Sequence, residues 1–258
     1  MTAAGAELPF DTDGDLAPAE AERIARLHER IWEPASALPR TGPALDELAA
    51  IDHPVARCLS VMYAHRGGAE ERFGVEYRGP AVAELARQVL REPARDRSTR
   101  RGGVATESHW YALMVLQEVA TEADAPLVVP LLEAGDESLR DAALHVVVEL
   151  AARSPGAFER SGAAPLVRAM AEQEPDLGLR CRALYGLVRH ASGDGDTEAL
   201  VRRHAAGEPG ELAWTAMVAL LERDRAGSLA AATALEARSP REGWHHWLEE
   251  LRSELERG

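Results

Sequence analysis

Acid–base chemistry in this chain would depend on three side chains, Asp141, His145 and Tyr185. Asp141 and His145 are four residues apart in a stretch with helical periodicity, so a carboxylate and an imidazole share one face of a helix. Tyr185 follows His145 by 40 residues, at the corresponding position of a second, similar stretch. If the chain is an enzyme, we expect these three to be the acid, base or orienting groups of a closed pocket. If it is not an enzyme, we expect no catalytic residue.

Metal and cofactor chemistry have weaker support in the sequence. His145 and Glu149 could hold one metal ion together, but two ligands on one helix do not make a metal site. The chain contains no glycine-rich phosphate loop, no HExxH and no GxSxG motif. Cys58 and Cys181 stand alone, without neighbours that would lower a thiol pKa, so we expect both to be structural. We therefore predict no metal site and no cofactor.

Two successive helix pairs between Pro126 and Ala191 must position these residues. They superimpose when Arg140 is laid on Arg180, an offset of 40 residues. Each pair has a short helix, an acidic turn and a longer helix, with an aspartate (Asp136, Asp176) four residues before the arginine. A repeat of this period is typical of an α-solenoid. Arg57 takes the same place in an earlier pair, so we expect a ladder of Asp–Arg bonds between neighbouring units.

This pattern resembles the HEAT repeat family, whose second helix typically starts with such an Asp and Arg pair. The resemblance implies an all-α fold, a right-handed α–α superhelix of about six HEAT-like helix pairs with capping helices. We predict that residues 16–258 form a single HEAT-like repeat domain and that residues 1–15 are a disordered tail. Residues 93–106, PARDRSTRRGGVAT, are a basic insertion, either a solvated loop or a contact for phosphate or an acidic partner.

In HEAT-like arrays the second helices line the concave side. Carrying the positions of Asp141 and His145 through the aligned second helices predicts a groove rich in aromatic residues, methionine and histidine, types that are enriched at binding surfaces. Its predicted members are Met62, Trp110, Met114, Asp141, His145, Tyr185, Trp214 and Val218. If these helices are rotated by about 40° from this estimate, or if a loop covers the groove, the same aromatic side chains are ordinary core.

Charge narrows the class of partner. The 43 acidic residues outnumber the 29 basic ones, and the net charge of −14 disfavours nucleic acid and anionic membranes while favouring a basic partner. The first residues have neither the basic start nor the apolar run of a signal peptide, and no run of about 18 apolar residues occurs. We expect a cytoplasmic protein with no membrane contact.

Three functions remain open, in order of preference. The first is a bacterial-type, non-enzymatic scaffold or inhibitor, of the immunity or adaptor type, that holds a basic protein or peptide in the groove. The second is an enzyme that acts on a small natural product in the groove. The third is an alkylpurine DNA glycosylase-like protein, a family that Trp110, Trp214 and Asp141 resemble in part. Met114 stands where that family has its carboxylate, and the acidic charge opposes DNA binding.

Overall fold

The computed structural model describes residues 8–10, 16–32, 41–69, 80–95, 107–191, 195–207, 210–221 and 224–238, together with residues 249 and 253. Over these residues the fold is all-α, with consecutive helices packed on one another and no strand. Most of the basic insertion lies outside the described residues. So does most of the predicted tail, but Leu8 and Phe10 from it are described, and both are buried. Whether residues 1–15 as a whole form a tail stays a prediction.

The contacts divide the chain into two compact units, Met1–Glu149 and Leu150–Gly258. The described helices of the first unit are α1 (Pro18–Trp32), α2 (Thr41–Ala49), α3 (Pro54–Ala69), α4 (Pro80–Arg91), α5 (Glu107–Val119), α6 (Ala125–Val128) and α7 (Glu137–Arg153). Two 3-10 turns, Glu122–Asp124 and Val129–Glu133, flank α6. The boundary between the units falls within α7.

The first unit is built by apolar faces that follow the helical period. Ile24, Leu27 and Ile31 are buried on α1, as their spacing predicts. Helix α3 packs against α2, α4 and α5, and α4 packs against α5. Prolines begin α1, α3 and α4, where the missing backbone N–H would have no partner within the helix.

The described helices of the second unit are α8 (Ala157–Arg160), α9 (Ala163–Gln173), α10 (Leu177–His190), α11 (Gly195–Ala205), α12 (Glu211–Leu221) and α13 (Arg225–Arg238). Helix α10 lies at the centre of this unit, in contact with α9, α11 and α12. Its buried side chains include Leu184 and Leu187, which are fully covered.

The repeated aspartates cap the second helices of the two pairs. Asp136 accepts a hydrogen bond from the backbone N–H of Leu139 at 3.0 Å, and Asp176 accepts one from Leu179 at 2.8 Å. Each carboxylate satisfies an N–H group that has no partner within its helix. The acidic turns predicted from the sequence therefore set where α7 and α10 begin.

The contacts that the structure gives for the three repeated arginines differ from one pair to the next. Arg57 pairs with Asp52 at 2.8 Å and also with Glu92. Arg140 donates to two backbone carbonyl oxygens of its own turn, at 2.9 and 3.2 Å. The Nε of Arg180 is covered from solvent and donates to no described atom. The predicted Asp–Arg bond is thus present at Arg57, and the ladder between neighbouring units stays a prediction.

Candidate binding surfaces

The structure places the predicted groove residues in both units. Met62 is buried, with 2 % of its surface exposed, and is therefore a core residue of α3. The other predicted residues are half-buried. In the first unit these are Trp110, Met114, Asp141 and His145, and in the second unit they are Tyr185, Trp214 and Val218.

Three second helices each carry one partly open face. On α5 the half-buried Trp110, Met114 and Gln117 recur at helical spacing between buried neighbours. Asp141, His145 and Val148 repeat this spacing on α7, and Trp214, Val218 and Leu221 repeat it on α12. On α10 the same face is more closed. Tyr185 is half-buried there, whereas Cys181 and Val188 are buried.

A cluster of rings supports the open face of α5. The ring of His65 on α3 meets Trp110 edge-on, with centroids 5.2 Å apart and planes at 85°. Trp110 also meets Tyr111 at 5.1 Å and 75°, and Tyr111 is buried. Gln117 donates a hydrogen bond to the Met114 sulfur at 3.3 Å. We call His65, Trp110, Met114 and Gln117 the α5 surface.

His65 is not among the site residues that the sequence predicts. A signal for it was present, because His65 lies three residues after Met62 and so continues the same helical face. The alignment of the repeats on their arginines places Met62, and not His65, at the groove position of α3.

Asp141 and His145 approach each other on α7. The carboxylate oxygen Oδ1 lies 3.8 Å from Nδ1 of the imidazole, and the side chains are 31 and 42 % exposed. Burial lowers the pKa of His145, and Glu149 opposes that effect. The imidazole is therefore mainly neutral at neutral pH, and the pair is a weak, partly solvated contact. Tyr185, the third residue of the enzymatic hypothesis, lies in the second unit.

Tyr185 already has a cationic neighbour. The guanidinium carbon of Arg189, one turn further along α10, lies 5.2 Å from the centre of the tyrosine ring. This is cation–π distance, so the protein itself covers part of that ring face.

Both cysteines lie in environments that disfavour the thiolate form. Cys58 and Cys181 are both free and buried. Burial, followed by the charge of Glu92, raises the pKa of Cys58 to about 12, and burial also raises the pKa of Cys181. Both thiols are therefore protonated at neutral pH, in agreement with the structural role predicted for them.

A cavity of about 260 Å³ lies in the second unit, among α11, α12 and α13. Its walls are mainly small and apolar, with an arginine from α11 and one from α13. The lining residues are Arg202, Ala205, Ala206, Leu220, Gly227, Ala231, Ala234 and Arg238. Its described lining contains neither a carboxylate nor an imidazole, so it offers no acid–base pair for catalysis.

Within the described part of the chain, no group of three or more histidine, cysteine, aspartate or glutamate side chains is arranged to hold a metal ion. We also find, in the same residues, no helix that combines the length and the apolar character needed to cross a bilayer.

No family model matches the chain, and no curated protein or solved structure is significantly similar to it.

Proposed function

We propose that the protein is a non-enzymatic binding protein that holds a basic protein or peptide segment, with the α5 surface as its main contact. The helix pairs would stack as a right-handed, HEAT-like α-solenoid of about six pairs, with capping helices at its ends. An inhibitor, immunity or adaptor protein of bacterial type fits this design. The single observation that supports it best is the half-buried Trp110, packed edge-on against His65.

The chemistry of the α5 surface suits an anchor for a partner. Tryptophan and methionine offer large, polarisable contact area, and binding energy at interfaces concentrates on such residues. The contacts of Trp110 with His65 and Tyr111 restrict its rotamers before a partner binds. Binding would then cost less conformational entropy than it would with a mobile side chain.

The acidic charge of the chain gives the expected sign of the partner. Glu118, adjacent to Gln117 on α5, is exposed, and so is Glu149 on α7. Together with the net charge of −14, these carboxylates favour a cationic segment and would accelerate its encounter. We assign Trp110 and Trp214 as anchors. Tyr185 is a weaker candidate, because Arg189 already lies against its ring.

The enzymatic alternative has less support. Its three residues are Asp141, His145 and Tyr185, and the contact between the first two is 3.8 Å and partly solvated. A general base needs hydrogen-bond reach to its proton and a site from which water can be excluded. The glycosylase-like alternative still conflicts with the charge of −14.

A displayed library of peptides tests the proposal. We expect selection on the full chain to enrich peptides rich in lysine and arginine. Trp110→Ala should weaken their binding by more than tenfold, because loss of a central tryptophan anchor costs about 2 kcal/mol or more. Binding would be measured by calorimetry and folding by thermal denaturation.

Leu177→Ala is the matched control. Leu177 is an apolar side chain that is 42 % exposed on α10 and lies outside the α5 surface. This variant should bind the selected peptides as the unaltered chain does. Enrichment of acidic peptides, or equal binding by Trp110→Ala, would show that the proposal is wrong.

A further inference from the structure

We propose that Met114 on α5 is a modification site, where hydrogen peroxide oxidises the thioether to a sulfoxide and Gln117 binds the oxygen that the sulfur gains. Both residues belong to the α5 surface. The site itself stands apart from the function proposed above, whereas its expected effect on peptide binding rests on that function. The two can therefore fail separately.

Met114 is more accessible to solvent than the other methionines that the structure describes. Met62, Met170 and Met217 are buried, with 2, 6 and 0 % of their surfaces exposed. Met114 is half-buried, and Met1 lies outside the described residues. Peroxide reaches a thioether through solvent, and a buried sulfur reacts only when the fold opens around it. Oxidation of the folded chain therefore selects Met114 among these four.

The sequence carries the same methionine–glutamine spacing twice, and the structure distinguishes the two copies. Gln117 follows Met114 by three residues on α5, and Gln173 follows Met170 by three residues on α9. Residues three apart share one face of a helix. On α9 the methionine is buried and the glutamine is exposed, whereas on α5 both are half-buried. Of the two pairs, the one on α5 combines a reachable sulfur with a nearby amide.

Gln117 already directs an amide N–H at the sulfur. Its Nε2 donates to the Met114 sulfur over 3.3 Å. A thioether is a weak acceptor, whereas the oxygen of a sulfoxide is polar and accepts more strongly. The amide needs only a small rotation to reach an oxygen that is bound to that sulfur. A neutral amide donor also suits the sulfoxide, which carries no net charge.

The oxidation step transfers one oxygen atom. The lone pair of the Met114 sulfur attacks one oxygen of hydrogen peroxide, so that the S–O bond forms as the O–O bond breaks. The proton on the transferred oxygen passes to the leaving hydroxide, which departs as water. The sulfur loses two electrons and the peroxide gains them. The apolar thioether thereby becomes a polar sulfoxide.

Oxidation changes the chemistry of the α5 surface close to its tryptophan. Met114 lies one turn from Trp110 on the same face of α5. The thioether offers an apolar, polarisable contact, while the sulfoxide adds a dipole that loses water when a partner covers it. If the α5 surface holds a basic segment, as proposed above, oxidation of Met114 weakens that binding.

Peptide mass spectrometry of the peroxide-treated full chain tests the site. Each methionine-containing peptide is followed for the gain of one oxygen atom. We expect Met114 to be oxidised at least about tenfold faster than Met62, Met170 or Met217, because a buried sulfur reacts only after the fold opens. In urea, where the chain is unfolded, the four rates should become similar. Similar rates in the folded chain, or faster oxidation of Met170, would overturn the assignment.

The side-chain amide signals of Gln117 in NMR spectra test its role. Oxidation of Met114 should move its amide proton downfield and slow its exchange with water, because the amide then donates to a stronger acceptor. Gln173 is the matched control, since it has the same spacing from the buried Met170, and its signals should not move. Gln117→Leu identifies the signals by their absence. Unmoved Gln117 signals in a chain fully oxidised at Met114 would contradict this role.

Calorimetry with the peptides rich in lysine and arginine separates the site from the proposed function. Oxidation should weaken their binding by about fivefold or more, because the sulfoxide loses water on binding. Met114→Leu keeps a similar volume without a sulfur, so peroxide should not change the affinity of this variant, whatever its value before treatment.

Selective oxidation of Met114 with unchanged peptide binding would contradict the proposed use of the α5 surface and leave the modification site intact. A loss of peptide binding in the treated Met114→Leu chain would overturn the link between Met114 and binding, because that chain has no sulfur at this position.

Discussion

The two successive helix pairs of the 40-residue repeat have matching second helices but different first helices. Helices α7 and α10 begin at the same place, each capped by an aspartate. The first helix of the later pair, α9, is continuous from Ala163 to Gln173. The first helix of the earlier pair is divided into the single turn α6 and the 3-10 turn Val129–Glu133.

Proline explains this difference. Pro130 has no N–H to donate to the carbonyl of residue 126, and its ring crowds that carbonyl, so an α-helix cannot continue undisturbed through it. Pro165 lies in the first turn of α9, where the missing donor costs little. A repeat can therefore retain its period when the aspartate cap of the second helix is present, even though the first helix is broken.

A partly buried ion pair holds the segment just before the broken helix. Arg87 on α4 binds Asp124, just before α6, through two hydrogen bonds of 2.6 and 3.1 Å. The Asp124 carboxylate also accepts a hydrogen bond from the Thr121 backbone at 2.8 Å. Burial alone would raise the pKa of Asp124, but these bonds hold it below the ordinary value. The continuous helix α9 has an exposed pair instead, Glu172 with Arg203.

Removal of the Asp124 carboxylate should reduce stability more than any other change considered for the two helix pairs. Asp124→Ala should lower the free energy of unfolding by about 2 kcal/mol, because it removes two charge-assisted hydrogen bonds of Arg87 and leaves the longer contact with Glu84 at 3.7 Å. Glu172→Ala should cost less than about 1 kcal/mol, since an exposed ion pair contributes little. Urea denaturation followed by circular dichroism measures both. Equal losses for the two variants would mean that the broken helix does not depend on Arg87 and Asp124.

Removal of either capping aspartate should destabilise the protein less, and by the same amount in both helix pairs. Asp136→Ala and Asp176→Ala should each lower the free energy of unfolding by about 1 kcal/mol, the usual cost of losing an N-cap side chain. Serine at either position should restore most of the loss, because its hydroxyl oxygen can accept the same hydrogen bond. The measurement is again urea denaturation. A loss at only one of the two positions would show that the pairs are not equivalent at their second helices.

Substitution of Pro130 should have the smallest effect on stability. In Pro130→Ala, α6 and the following 3-10 turn should merge into one helix. The circular dichroism signal at 222 nm should then increase by the amount that about one additional helical turn contributes. The stability change should stay within about 1 kcal/mol, because alanine favours the helix but also gains entropy in the unfolded chain. Pro165→Ala is the control and should leave the helical signal unchanged. An unchanged signal in Pro130→Ala would mean that packing, and not proline, divides the first helix.

Features that act within one or two turns could be predicted from the sequence. The capping aspartates and the apolar face of α1 follow from residues that are three or four positions apart, and the period of 40 residues follows from aligning Arg140 with Arg180. The burial of Met62 and the ring contact between His65 and Trp110 could not be predicted in this way. Both depend on how α3 packs against α5, which residue spacing on one helix does not specify.

Residue order and composition alone predict that the chain is helical, where the second helices of the repeat begin and what net charge a partner would meet. Hydrogen bonds along a helix and the total charge depend only on local order and composition. Packing between distant segments sets which aromatic side chains are half-buried, which acceptors Arg57 and Arg140 have, and that Asp124 binds Arg87 from 37 residues away. Such choices depend on packing between distant segments, and identical residues at equivalent positions therefore have different neighbours.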